Sequence, residues 1–176
     1  MEILRPNGFL QYYRIKKLYR EAFPKCERKP FSIIKEMTIK GKSDIWYFSD
    51  ENGFAGFITT INGSDTVLID YLAVSKKRRG QGLGSEMLRL FFEKYSGFGV
   101  FLEIERPDEN ADNNAERLRR REFYLRAGFT PMNTYAKLFG VDMELLGVNC
   151  QLDFDSYRDF YLKNYGRFAY DNISRI

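Results

Sequence analysis

Residues 67–84, VLIDYLAVSKKRRGQGLG, carry the densest chemical information in this 176-residue chain. An apolar strand breaks into a basic, glycine-dense turn, and the turn opens directly into SEMLRLFFEKY, a helix with apolar periodicity. Glycines at 80, 82 and 84 leave out the side chains that would hold a ligand away from the backbone. Successive N–H groups can then converge on an anion at a helix N-terminus, where the helix dipole also favours negative charge. Lys76, Lys77, Arg78 and Arg79 add positive charge at the same mouth, and such a site suits a pyrophosphate. Farther on, Glu103 and Glu105 lie two apart in a strand and so share a face, offering carboxylates for proton transfer or for a cation. Asp70 is the next candidate acid, with ordinary surface charge as its plain reading.

Three glycine-loop chemistries compete for residues 79–84. A P-loop requires GxxxxGK[ST], and no Lys-Ser or Lys-Thr pair follows any glycine run here. A dinucleotide fingerprint finds its first two glycines in Gly80 and Gly82, with Ser85 where the third belongs and Glu103 near the distance of the ribose-binding acid. Against it, a basic run separates the glycines from the strand end, and the upstream strands read as an antiparallel meander. The third is the acetyl-CoA loop, [QR]-x-x-G-x-[GA]. Arg79-Gly80-Gln81-Gly82-Leu83-Gly84 satisfies every constrained position, and Leu72-Ala73-Val74 resembles the strand end that precedes it.

The chain therefore resembles the GNAT (Gcn5-related) N-acetyltransferases. LEIE at 102–105 is similar to the strand after the CoA helix, and RREFYLRAGF at 120–129 to the family's late "FY…GF" helix, so the likeness runs in order over roughly residues 44–130. The resemblance implies a mixed, mostly antiparallel central sheet with a splayed strand pair, flanked by helices. It implies acetyl-CoA as co-substrate and transfer of acetyl to a primary amine by direct attack in a ternary complex. It assigns the backbone of Leu72, Ala73 and Val74 to the acetyl and pantetheine portions, with an N–H there as oxyanion donor, and Arg79, Gly80, Gln81, Gly82, Leu83 and Gly84 to the pyrophosphate. Tyr124 matches the tyrosine that acts as general acid at the sulfur, and Glu103 the glutamate that serves some members as base. One departure stands out: many members place an Asn about seven residues before the tyrosine, where this chain has Arg117, while Asn110, Asn113 and Asn114 lie upstream in a longer loop. The Asn contact is unassigned.

These residues need a frame. The length suits one domain over 1–176, with 153–176 as a C-terminal helical tail. Helices are expected over 9–23 and 31–39, strands over 2–5, 44–49, 54–61, 66–74 and 99–105, and the CoA helix over 82–95. A second helix follows at about 114–127, a hairpin at 129–150, and an amphipathic helix through DFDSYRDFYLKNYGRF. With 44% apolar and 16% aromatic residues the chain can build a core. No apolar run approaches the ~20 residues that cross a bilayer, and no signal-peptide core occurs in residues 1–20, so a cytoplasmic location without membrane association is expected. Cys26 and Cys150 read as idle or buried thiols. The chain has no histidine, which removes imidazole bases, His-containing triads and His-ligated zinc; no metal is expected. A net charge of +4 requires no nucleic acid, and none is expected as a partner. The acceptor is a small-molecule or peptide amine, with the acidic residues at 103, 105 and 108–112 hinting at a cationic one. A non-catalytic acyl-CoA-binding sensor or adaptor is the alternative function, and both monomer and homodimer are open.

Overall fold

A computed structural model describes the backbone of residues 1–176 and every side chain except that of Cys26, so the reading of that thiol lies outside the described residues. The elements are β1 (Glu2–Leu4), α1 (Phe9–Ala22), α2 (Phe31–Ile39), β2 (Ile45–Asp50), β3 (Gly53–Asn62), β4 (Thr66–Val74), α3 (Leu83–Lys94) and β5 (Gly99–Glu105). There follow α4 (Asn114–Arg126), β6 (Thr130–Leu138), β7 (Val141–Val148), α5 (Phe154–Tyr165), α6 (Arg167–Asp171) and β8 (Ile173–Arg175). The strands form one eight-stranded sheet in the order β1-β2-β3-β4-β5-β7-β6-β8. The β1/β2, β2/β3, β5/β7, β6/β7 and β6/β8 ladders are antiparallel and β4/β5 is parallel, so the chain has the mixed, mostly antiparallel α/β sheet that the resemblance implied. Among the described residues, no helix is long and apolar enough to cross a membrane.

The chain divides into two compact units. The first comprises Met1–Asn62 and Ile69–Ser96, the second Gly63–Leu68 and Gly97–Ile176, so β4 contributes to both.

In the first unit, Ile15, Leu18 and Tyr19 of α1 and Ile34 of α2 pack on Ile45, Tyr47, Phe57, Tyr71 and Ala73 of β2, β3 and β4. The alternation of a strand places Tyr71 and Ala73 on one face of β4, and that face receives the apolar stripe of α1. On α3, Met87, Leu88 and Phe91 are fully buried. Gly56 makes this packing possible. A Cβ at that position would lie 2.3 Å from the Ala73 carbonyl oxygen and 2.9 Å from the Met87 sulfur. A glycine inside a strand commonly marks such a close approach.

In the second unit, the fully buried Phe101 meets Phe160 of α5 edge-on at 5.0 Å, and Leu145 and Leu146 of β7 are likewise buried. Asp153 caps α5 through a 2.8 Å bond accepted from the Ser156 amide. The tail differs from the single helix read over 153–168. Gly166, at φ 79°, takes a left-handed turn that ends α5 at Tyr165, and the chain continues through α6 into β8 on the edge of β6. The glycine was visible in the sequence, but the strand is held by pairing with residues 136–138, which no local pattern reveals.

Candidate active site

The end of β4 and the turn after it lie within the first unit. The β4/β5 ladder is short: among the described residues only Thr66, Val67 and Leu68 pair with Gly99, Val100 and Phe101. Leu72, Ala73 and Val74 therefore stand on a stretch of strand that lacks a β5 partner among the described residues. The Ser75 amide donates to the Ala55 carbonyl at 2.8 Å, fixing the point where the chain leaves the strand.

The turn is a single 3₁₀ turn, Lys76–Arg78, followed by Gly80 at φ 77° and by Gly82 at φ 74° as the N-cap of α3. Both glycines occupy the left-handed region that side-chain-bearing residues avoid, which is why the loop needs them. Gly84 has no positive φ and sits in the first helical turn. The first turn of a helix leaves its amides without partners, and here the effect extends upstream. The N–H groups of Gly80, Gln81, Gly82, Leu83 and Gly84 have no main-chain acceptor among the described residues, whereas those of Ser85 and Glu86 bond the Gly82 carbonyl. Five consecutive amides at the positive end of a helix dipole are suited to hold an anion.

The basic run beside these amides is divided. Arg78 points back to Asp50, making bidentate bonds of 2.9 and 2.6 Å, with a further bond to the Gly53 carbonyl. The guanidinium holds the Asp50 carboxyl below the usual carboxylate range. Arg78 thus ties the loop to the β2–β3 turn, and Lys76, Lys77 and Arg79 are the exposed cations of the run. The Arg79 Nε donates to the Val74 carbonyl at 3.4 Å.

The remaining sequence candidates lie in the second unit. Tyr124, half-buried on α4, meets Phe129 edge-on at 5.6 Å. Burial pushes its hydroxyl up to about 12, with Arg120 drawing it partly back, so it holds its proton at neutral pH. Glu103 accepts a 2.7 Å bond from the hydroxyl of Tyr161 on α5. Burial, and the Glu103 charge after it, raise the hydroxyl of the fully buried Tyr157. Sequence reasoning missed both tyrosines, since they lie more than fifty residues downstream on a helix with no motif.

The other acids are committed to cations. Glu105 lies 3.3 Å from Arg117 and 3.5 Å from Arg120. Asp70, in the first unit, pairs with Lys29 at 2.6 Å and is 9% exposed. The hint of a cationic acceptor loses the Glu105 charge. The asparagines are also used internally. Asn113 accepts from Arg117 Nε at 2.7 Å, Asn114 accepts from the Asp108 amide at 2.9 Å, and Asn110 donates to Asp108. Arg117, which stands where an Asn was sought, bonds the Arg106 carbonyl and so ties the 106–113 loop to α4. Cys150 is half-buried, with its Sγ 3.4 Å from the Val100 carbonyl and its thiol pushed up by burial, which suits an inert group.

A mostly antiparallel sheet whose β4 runs into an amide cradle at the head of α3 defines a protein class. The acetyltransferase (GNAT) domain profile matches residues 41–131, just over half of the chain, and the chain belongs to that family. It is 36% identical over 109 residues to YjbC of Bacillus subtilis (strain 168), whose name assigns it provisionally as an acetyltransferase. That match covers 62% of this chain and 53% of YjbC, so the chain spans about half the length of the curated relative it matches. Among solved structures, one from Bacteroides thetaiotaomicron, described provisionally as a GNAT-family acetyltransferase, superposes with a TM-score of 0.79 at 24% identity. The superposition covers 95% of this chain and 99% of the other. An aminoglycoside 6'-N-acetyltransferase complexed with coenzyme A superposes with a TM-score of 0.64 at 15% identity, covering 84% and 96%. At these identities the likeness shows the fold.

Proposed function

We propose that this chain moves the acetyl group of acetyl-CoA to a primary amine by direct attack within a ternary complex. The observation that carries the reading is the run of amides from Gly80 to Gly84, without main-chain acceptors, at the N-terminus of α3. Their spacing and the two left-handed glycines fit a pyrophosphate. The unladdered end of β4 supplies strand-edge groups to pair with a pantetheine amide, as an added strand would. A coenzyme A complex of one structural relative supports the same donor.

In the proposed chemistry the acceptor nitrogen bonds the acetyl carbon and the carbon–sulfur bond breaks. A main-chain N–H at Leu72 to Val74 steadies the developing oxyanion, a contribution of roughly 3–4 kcal/mol in comparable sites. Glu103, directly or through water, takes the proton that an alkylammonium must lose before attack. Tyr124, neutral at pH 7, gives its proton to the departing thiolate and is restored by the second proton that the nitrogen sheds as the amide forms.

A screen of amines with acetyl-CoA, read by release of the free thiol, tests this. At least one amine class is expected to yield thiol in stoichiometric step with acetylated product. Binding of acetyl-CoA without turnover on any amine would assign the chain to acyl-CoA sensing instead.

A further inference from the structure

We propose that the exposed stripe of α1 binds single-stranded nucleic acid. At 3.6 residues per turn, positions 9, 13, 16, 17 and 20 fall within about 100° of the helix circumference and run about 16 Å along it. The stripe lies opposite Ile15, Leu18 and Tyr19, which are buried in the first unit's core. Its first half is aromatic: Phe9 is 87% exposed, Tyr13 is 54% exposed, and their rings stack 6.3 Å apart at an interplanar angle of 20°. Its second half is cationic, with Lys16, Lys17 and Arg20 exposed. Tyr13, these three cations and Glu21 line a shallow groove of about 300 Å³.

The three cations are uncommitted. None forms an ion pair among the described residues. The arginines of α4 contrast with them, since Arg117, Arg120, Arg121 and Arg126 pair with Glu105, Glu144 and Glu122. Charge along the chain is also uneven. Residues 1–42 hold eleven Lys and Arg against four Asp and Glu, in a chain that totals 28 and 24.

Cations alone would suit any polyanion. An exposed stacked pair of rings in line with them supplies what unpaired bases use, a flat apolar platform next to backbone charge. A bilayer fits less well, because the apolar face that α1 would insert is already buried against the sheet.

Fluorescence anisotropy of the full chain with a labelled 12-nucleotide oligouridylate tests the proposal. Three phosphate contacts predict a loss of affinity of about 20-fold between 50 and 200 mM salt. Joint Lys16→Gln, Lys17→Gln and Arg20→Gln substitution removes that salt dependence. Phe9→Ala with Tyr13→Ala weakens binding about tenfold or more at fixed salt and leaves the slope intact. Arg119→Gln on α4 has no effect, and every variant keeps the wild-type melting temperature. Absence of binding at 50 mM salt overturns the proposal. So does equal competition by polyglutamate with no effect of the aromatic pair, which makes the face a general polyanion surface. Preferential capture by phosphatidylglycerol vesicles overturns it in favour of a membrane.

Discussion

At the scale of single residues, hydroxyl and carboxylate environments decide the expected chemistry. The Tyr124 hydroxyl is pushed up to about 12 mainly by burial, so it is protonated at neutral pH and the proposed reaction can use it only as an acid. Tyr124→Phe is expected to lower kcat by about 10²-fold or more while the acetyl-CoA dissociation constant stays within twofold. Wild-type turnover in that variant would remove the acid assignment. For Glu103, Glu103→Gln should depress kcat/KM and flatten the acidic limb of its pH profile, and an unchanged limb would shift the base to water or another group. Both positions are proposed from motif resemblance in the sequence. The hydrogen bond from Tyr161 to Glu103 could not be read there, because the partners are 58 residues apart and meet only when α5 docks on β5.

At the scale of elements, two glycines near the cradle do different work. Gly82 caps α3 at φ 74°, and an alanine forced into that conformation costs roughly 1–2 kcal/mol. Gly82→Ala should therefore raise KM for acetyl-CoA with kcat largely kept, as measured by steady-state kinetics. Gly56 has no role in the loop itself. Its missing Cβ lets β3, the Ala73 carbonyl and Met87 of α3 approach each other. Gly56→Ala is expected to destabilise the fold by about 1–3 kcal/mol in chemical denaturation, since the obstructing atom is backbone and cannot swing aside. The loop glycines could be read from local spacing. Gly56 required knowledge of what crosses over it.

At the scale of the whole molecule, the ion pair between Arg78 and Asp50 links the loop to the β2–β3 turn. Because the Asp50 carboxyl is lowered in the folded chain, its contribution is fully present above the ordinary aspartate range. It is lost as the pH falls through the lowered value. The stability gap between wild type and Asp50→Asn should accordingly hold steady above about pH 5 and narrow below about pH 4. Acid denaturation of the two proteins side by side checks this, and a gap that widens with acid would reverse the assignment. Ligand linkage supplies a second check. Acetyl-CoA at a hundredfold excess over its dissociation constant should add about 2.7 kcal/mol, or about 5–10 °C of melting temperature.

The sequence by itself determined the order of elements as far as α5, the strand–glycine loop–helix unit and hence the family. Those features are written in short-range patterns, namely apolar periods of two and 3.6 and glycines at positions of positive φ. Tertiary structure alone decided which charges remain available for chemistry. Arg78 turned from the loop to Asp50, Glu105 was taken by Arg117 and Arg120, and Lys16, Lys17 and Arg20 were left uncommitted. The reason is that an ion pair depends on distance in space, and these partners stand 12 to 28 residues apart along the chain, where no local pattern records their meeting.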